Sequence, residues 1–250
     1  METTLHVSPD PETAAEAAAR RWIEIARHAI ATEGRFNVAL SGGSTPRRLY
    51  ALLAEAPLRD TTDWSRIHVF FGDERSVPPD HPESNYRMAR EALLDHVPIP
   101  GDNVHPIAAR AAHIRQDAWA YGRRLRRELP LNDHGLPRFH LILLGMGPDG
   151  HTASLFPGTC IQHEMSLPVA AVYVPRLRTW RISVTYPLLV AADHIVLLVE
   201  GTDKAPVLAR VFREPPEQPL LPIRRVAESH ATEWFLDEAA AMQLPRRESR

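Results

Sequence analysis

A single cysteine, Cys160, is all the thiol chemistry in this 250-residue chain. That excludes an internal disulfide and fits a reducing compartment, and a lone loop cysteine reads more readily as incidental than as catalytic. No apolar run approaches the ~20 residues a membrane helix requires. The first residues, METTLHVSPDPE, lack the basic and apolar segments of a secretory leader, so the expected location is the cytoplasm, with no membrane partner. Net charge is equally scarce, since 29 Lys+Arg against 31 Asp+Glu leave a formal -2. So even a balance argues against a nucleic-acid surface, while a local basic pocket for a small anion stays open. No HxH, HExxH or CxxC spacing offers a metal-ligand set, and the glycine loop at 41–46 neither ends in the Gly-Lys-Ser/Thr of a Walker loop nor has GxGxxG spacing. Neither a metal nor an organic cofactor is expected.

What is present is an alternation of short apolar runs with amphipathic stretches. Trp22, Ile25, Ala26, Ala29 and Ile30 recur at helical spacing over residues 11–33, and Gly34 supplies a stop. Strands are predicted at 36–40, 66–71, 141–144, 169–174, 182–186 and 194–200. Helices are predicted over 84–95, with Tyr86, Ala89 and Leu93 on one face, over 111–129, and from the GTDKA segment to about residue 213. Arg123, Arg124, Arg126 and Arg127 read as a solvated helix face rather than a binding patch. Residues 214–222 form a proline-rich connector, after which 223–227, 232–236 and a helix beyond Asp237 return to core-like patterning. With no repeat and no domain boundary, the expectation is a single α/β domain spanning 1–250: a doubly wound, mostly parallel, Rossmann-like sheet flanked by helices. Residues 245–250 read as a frayed tail.

Four polar clusters directly follow predicted strands, where a parallel sheet delivers its functional groups. Ser41-Gly42-Gly43-Ser44-Thr45-Pro46 opens a helix. Its glycines, the helix dipole and the Ser44 and Thr45 hydroxyls suit a phosphate, though a plain turn with a Ser or Thr cap has the same pattern. Gly72-Asp73-Glu74-Arg75 is either a surface ion pair or a site in which Arg75 offers its fork to a phosphate or an oxyanion. Asp149-Gly150-His151 follows the run 141–144 and the break at Gly145, Gly147 and Pro148. Histidine is the natural general base for water, and Asp149 would orient it or stabilise its charged form, unless the aspartate merely caps the turn. Among the 13 histidines, His68, His140 and His194 look strand-flanking. Lys204, in Gly201-Thr202-Asp203-Lys204-Ala205, can meet a phosphate as a point charge. Each cluster alone has a bland reading. Together, at one predicted sheet edge, they point to a catalytic centre with a phosphate anchor opposite.

The blocks SGGSTP, FGDERSVPPDHPESNY, LLGMGPDGHTASLFPG and EGTDKA, in this order and over nearly the whole chain, resemble the sugar-phosphate family that contains 6-phosphogluconolactonases and glucosamine-6-phosphate deaminases. Arg75 stands where the deaminases usually carry tyrosine, and Thr152 to Pro157 depart from the deaminase pattern, so the resemblance implies the lactonase branch. It implies hydrolysis of 6-phospho-D-glucono-1,5-lactone without a cofactor. His151 would be the catalytic histidine and Asp149 its partner. Gly42, Gly43, Ser44, Thr45 and Lys204 would hold the phosphate, with Asp73 and Arg75 at the substrate. Arg181 is a further implied substrate arginine, with Arg176 and Arg178 close enough in sequence to compete for that role. The partner would be the small lactone alone, and the protein a monomer or small homo-oligomer. The rival readings are the deaminase activity and a non-catalytic sugar-phosphate sensor. The sensor would need an attached helix-turn-helix, for which a single helix before the first predicted strand leaves little room.

Overall fold

The apolar runs become neighbouring strands covered on both faces. The structure is a computed structural model that describes residues 3–213, 215–216 and 220–244. Its main sheet holds β1 (Thr3–Ser8), β2 (Phe36–Leu40), β3 (Ile67–Phe71), β5 (Leu141–Leu144), β8 (His194–Val199) and β9 (Thr232–Asp237), in the order β1-β9-β8-β5-β2-β3. Every pairing in it is parallel. All residues of β2 and β5 are buried, as strands sandwiched between helix layers require. A second sheet, β4 (Asp73–Arg75), β7 (Thr179–Val184) and β6 (Val169–Val174), is antiparallel.

The helices are α1 (Pro11–Glu33), α2 (Ser44–Leu53), α3 (Asn85–Ala92), α4 (Ile114–Glu128), α5 (Tyr186–Leu189), α6 (Ala205–Val211), α7 (Pro222–Ser229) and α8 (Glu238–Ala241). Helix α1 shows why local sequence suffices in places. Asp10 caps it by accepting from the Thr13 amide at 2.8 Å, Pro11 opens it, and Gly34 ends it at φ 76. Its face of Ala14, Ala18, Trp22, Ile25 and Ala29 is buried in one continuous core. No helix among the described residues is long and apolar enough to cross a membrane.

The observed fold departs from the sequence expectation in several places. Residues 169–174 and 179–184 do not join the main sheet: the turn at Pro175–Arg178 is too short for the crossover that parallel strands need, so they pair antiparallel, and β7 pairs on its other side with β4. Strand β7 also starts three residues earlier than its apolar pattern, and Tyr186 opens α5. Residues 3–8 carry no clear strand signal. Only Ser8 of β1 is buried, and the strand forms by pairing its backbone with β9. The helix expected over 84–95 stops at Ala92 and gives way to a 3-10 turn, and 223–227 lies inside α7. The expected tail at 245–250 and positions 214 and 217–219 of the connector fall outside the described residues.

The outer edge of β3 is covered by Val104 and His105, whose amide donates to Val69 O at 2.8 Å. The His105 ring is buried and stacks on Phe70 at 4.3 Å. Burial, helped by the Arg124 charge, pulls its pKa from 6.5 down to about 4. The unfolded chain therefore binds the extra proton first. The contribution of the neutral ring to stability is intact above pH 6.5 and is lost as the pH falls toward 4. Denaturant melts of the wild type are expected to weaken across that window, and those of His105→Gln to weaken less steeply. Identical pH slopes would contradict this account.

Candidate active site

Strand order reverses between β2 and β5, so the chain departs from their carboxyl ends in opposite directions and leaves a crevice. Backbone groups that the sheet no longer pairs are held there by side chains. The Tyr50 hydroxyl accepts from Ser41 N at 3.1 Å and donates to Ser41 O at 2.9 Å. Tyr121 treats Phe71 the same way, at 2.9 and 3.1 Å. Thr152 Oγ1 donates to Gly145 O, and Gly201 N donates to the Asp237 carboxylate. The loops after β2, β3, β5 and β8 thus leave the sheet in fixed directions. With the β6–β7 turn, they enclose a cavity of about 480 Å³.

On one wall His151 and Asp149 pair directly, Nδ1 to Oδ1 at 2.5 Å, while Asp149 Oδ2 meets Arg176 Nη2 at 2.7 Å. The His151 ring stacks on Phe156 with centroids 4.0 Å apart. Burial works against ionising Asp149, but the His151 hydrogen bond and the His151 and Arg176 charges outweigh it and hold the carboxyl below its usual range. Gly147 makes room for the imidazole, since a Cβ there would sit 2.0 Å from the ring.

The other wall is cationic. Arg75 and Arg181 are cross-strand partners on β4 and β7, and both line the cavity. Nε and Nη1 of Arg181 are buried without a hydrogen-bond partner. Burial, then the Arg75 charge, push this guanidinium below its ordinary pKa. At the far side stand Gly43, the N-cap of α2, with Ser44, Thr45 and Lys204, whose Nζ rests 3.1 Å from Asp203. Glu200, the residue after β8, also lines the cavity, and burial pushes its pKa up to about 7. A half-buried imidazole-carboxylate pair sharing a cavity with several cations suits proton transfer on a small anionic substrate.

The family of glucosamine-6-phosphate isomerases/6-phosphogluconolactonase matches residues 9–235. The chain belongs to this family. It is 42% identical to a 6-phosphogluconolactonase of Synechocystis over 223 residues, covering 86% of this chain and 88% of that protein. Similarity to the Streptomyces coelicolor 6-phosphogluconolactonase is 40% over 248 residues, covering 97% and 95%. Among solved structures, the 6-phosphogluconolactonase of Trypanosoma brucei superposes with a TM-score of 0.88 at 30% identity, covering 98% of this chain and 99% of that one.

In this family member the ten residues singled out from sequence, in the segments after β2, β3, β5 and β8 and on β7, all line or adjoin one cavity. Asp73 is there, but both of its carboxyl oxygens are engaged: Oδ1 accepts from Asn85 Nδ2 at 3.1 Å and Oδ2 from Ser154 Oγ at 2.6 Å. Asn85 in turn lies against Gly42, where a Cβ would come within 1.7 Å of its Oδ1. Of the three clustered arginines, Arg176 and Arg181 line the cavity and Arg178 does not. Sequence reasoning passed over Glu200, although its place between an apolar strand and a glycine is the signal that picked out the other clusters. It also missed the tie from Arg176 to Asp149, which no spacing reveals.

The arginine stripe of α4 stays outside this cavity, with Arg123 over the Trp119 ring and Arg127 paired with Glu128. Among the described residues, one trio (Glu33, His140 and Asp193) has the mutual proximity of metal ligands. It sits at the amino-terminal end of the strands, and Arg138 pairs with both carboxylates, a cation where a metal would stand.

The space at Gly147 yields a test. The atoms a Cβ would meet belong to the ends of the His151 and Asp149 side chains rather than to backbone. Gly147→Ala is therefore expected to keep the fold, with a melting temperature near wild type, while displacing the imidazole and removing most of the activity. An active Gly147→Ala enzyme would contradict the placement of His151.

Proposed function

We propose that the chain hydrolyses 6-phospho-D-glucono-1,5-lactone to 6-phosphogluconate, with His151 activating water. The observation that carries this reading is one cavity holding the His151–Asp149 pair, with Nδ1 and Oδ1 2.5 Å apart, and the cationic set Arg75, Arg181 and Lys204. The Synechocystis and Streptomyces coelicolor relatives, at 42% and 40% identity, are 6-phosphogluconolactonases, which supports it.

A six-membered lactone is an activated ester, so a covalent nucleophile is unnecessary. The phosphate docks at the amino end of α2, where exposed amides and the helix dipole favour an anion, beside Ser44, Thr45 and Lys204. Docking places C1 near His151. Asp149 takes the Nδ1 proton in a hydrogen bond, which leaves Nε2 as the base. Water gives a proton to Nε2 as its oxygen bonds to C1, and the developing oxyanion is steadied by Arg75 and Arg181. The bond from C1 to the ring oxygen then breaks, and the imidazolium returns the proton to that oxygen, opening the ring.

General-base help is worth roughly 10²–10⁴-fold, with positioning adding the rest. His151→Ala is expected to lower kcat on that scale with little change in KM. Lys204→Ala should mainly raise KM, by roughly tenfold or more, given about 1.5–3 kcal/mol for a hydrogen bond to a charged group. The assay is hydrolysis of freshly generated 6-phosphogluconolactone with the spontaneous rate subtracted, run against unphosphorylated gluconolactone and glucosamine 6-phosphate. Release of ammonia from glucosamine 6-phosphate, or near-normal turnover by His151→Ala, would sink the reading.

A further inference from the structure

Asp149 and His151 lie on a turn whose backbone is closed by Gly147 N donating to His151 O at 2.9 Å and Gly150 N to Gly147 O at 3.0 Å, bonds that fix the chain but not the Asp149 side chain. Gly147 and Gly150 bracket the aspartate, and Gly150 stands at φ 75. Asp149 Oδ1 is taken by His151, and among the described residues no group in the main sheet's loops pairs with Oδ2. What holds Oδ2 comes from the other sheet. Arg176 sits on the tight turn between β6 and β7, which Pro175 opens and Arg178 closes at φ 51. Its Nη2 meets Oδ2 at 2.7 Å, and its guanidinium carbon lies 4.9 Å from the centre of the Phe156 ring. Phe156 in turn stacks on His151 at 4.0 Å. Guanidinium, carboxylate, imidazole and phenyl ring thus close a circuit in which each member touches the next.

We infer that Arg176 is the positioning residue of this pair, holding Asp149 by Oδ2 so that Oδ1 keeps His151 in the tautomer that donates from Nδ1 and accepts at Nε2. This rests on the lactonase reading for its kinetic consequence but not for its geometry. Asp149 alone on a glycine-flanked loop would sample other rotamers and solvent partners. A bidentate-capable cation on a proline-started turn removes that freedom. Lysine at 176 would keep the charge but lose the planar stacking on Phe156. The other charged groups on the cavity wall are Asp73, Arg75, Arg181, Glu200, Asp203 and Lys204. Among the described residues, none of them forms an ion pair with Asp149 or His151, so Arg176 is the cation in contact with the pair.

The test compares full-length Arg176→Met and Arg176→Lys with wild type by two readouts. The first is kcat, KM and the pH profile of kcat/KM on 6-phosphogluconolactone. The second is the downfield proton resonance of His151 Nδ1–H in the free protein, which needs no substrate. Arg176→Met is expected to lower kcat about 10- to 100-fold, by analogy with the loss of a group that orients a metal-bound histidine, with KM little changed. Losing a positive charge beside the imidazole should also move the acid limb of the profile to higher pH, and the Nδ1–H resonance should broaden or vanish. Arg176→Lys is expected to recover the limb and much of kcat.

An unchanged resonance and limb in Arg176→Met would overturn the inference, as would a raised KM at normal kcat, which would make Arg176 a substrate contact. If wild type fails to hydrolyse the lactone, the functional reading falls. The resonance then still decides the positioning role: lost in Arg176→Met and restored in Arg176→Lys, it stands.

Discussion

Four parallel strands that stop side by side leave backbone amides and carbonyls with no ladder partner at the mouth of a buried crevice, and everything in the site depends on how those groups are satisfied. An unpaired buried N–H or C=O costs about 1–3 kcal/mol. Tyr50, Tyr121, Thr152 and Asp237 meet that demand at the ends of β2, β3, β5 and β8. Burial holds both phenols well above their usual pKa, so each stays a neutral hydroxyl able to donate and accept at once. The loops that carry Ser44, Asp73, His151 and Lys204 start from anchored points, which is how short glycine-rich segments hold a defined geometry.

The cavity is also a seam between two sheets. His151, Ser44, Thr45 and Lys204 follow strands of the parallel sheet, while Arg75, Arg176 and Arg181 belong to the antiparallel one. Asp73 joins them through Ser154 and Asn85, and the Asn85 side chain rests on the Gly42 backbone. Glu74, facing away from the cavity, accepts from the amides of Asn85 and Tyr86 and so caps α3. The acidic pair at 73–74 therefore serves mainly as a joint, each carboxyl bound to partners on two sides.

Much of this was legible in the amino acids. The apolar runs at 36–40, 141–144 and 194–199 need cover on both faces, which made a parallel sheet the natural outcome, and polar residues directly after them marked its functional edge. What could not be read was long-range. Residues 169–174 look like any other buried strand; the tight turn at Pro175–Arg178 makes them a hairpin, and the pairing of β7 with β4 holds that hairpin in a separate sheet. Strand β1 shows too little buried side to betray itself, because its stability comes from backbone pairing with β9. The roles of Arg176 and Asp73 depend on partners 27 and 81 residues away in sequence, at Asp149 and Ser154. Spacing rules do not reach that far.

Gly72 belongs to both sheets: its N–H donates to Leu40 O of β2 at 2.8 Å, and its carbonyl accepts from Val184 N at the end of β7, also at 2.8 Å. Beyond it, side chains alternate, so Asp73 and Arg75 share one side and Glu74 takes the other. Adding or deleting one residue at this crossing would swap the sides. Glu74 would then enter the cavity in place of Asp73 and Arg75, and Arg75 would turn toward the amides that Glu74 now receives. Surface loops elsewhere tolerate changes of length, but here chain length itself sets the sign of the charge offered to a ligand.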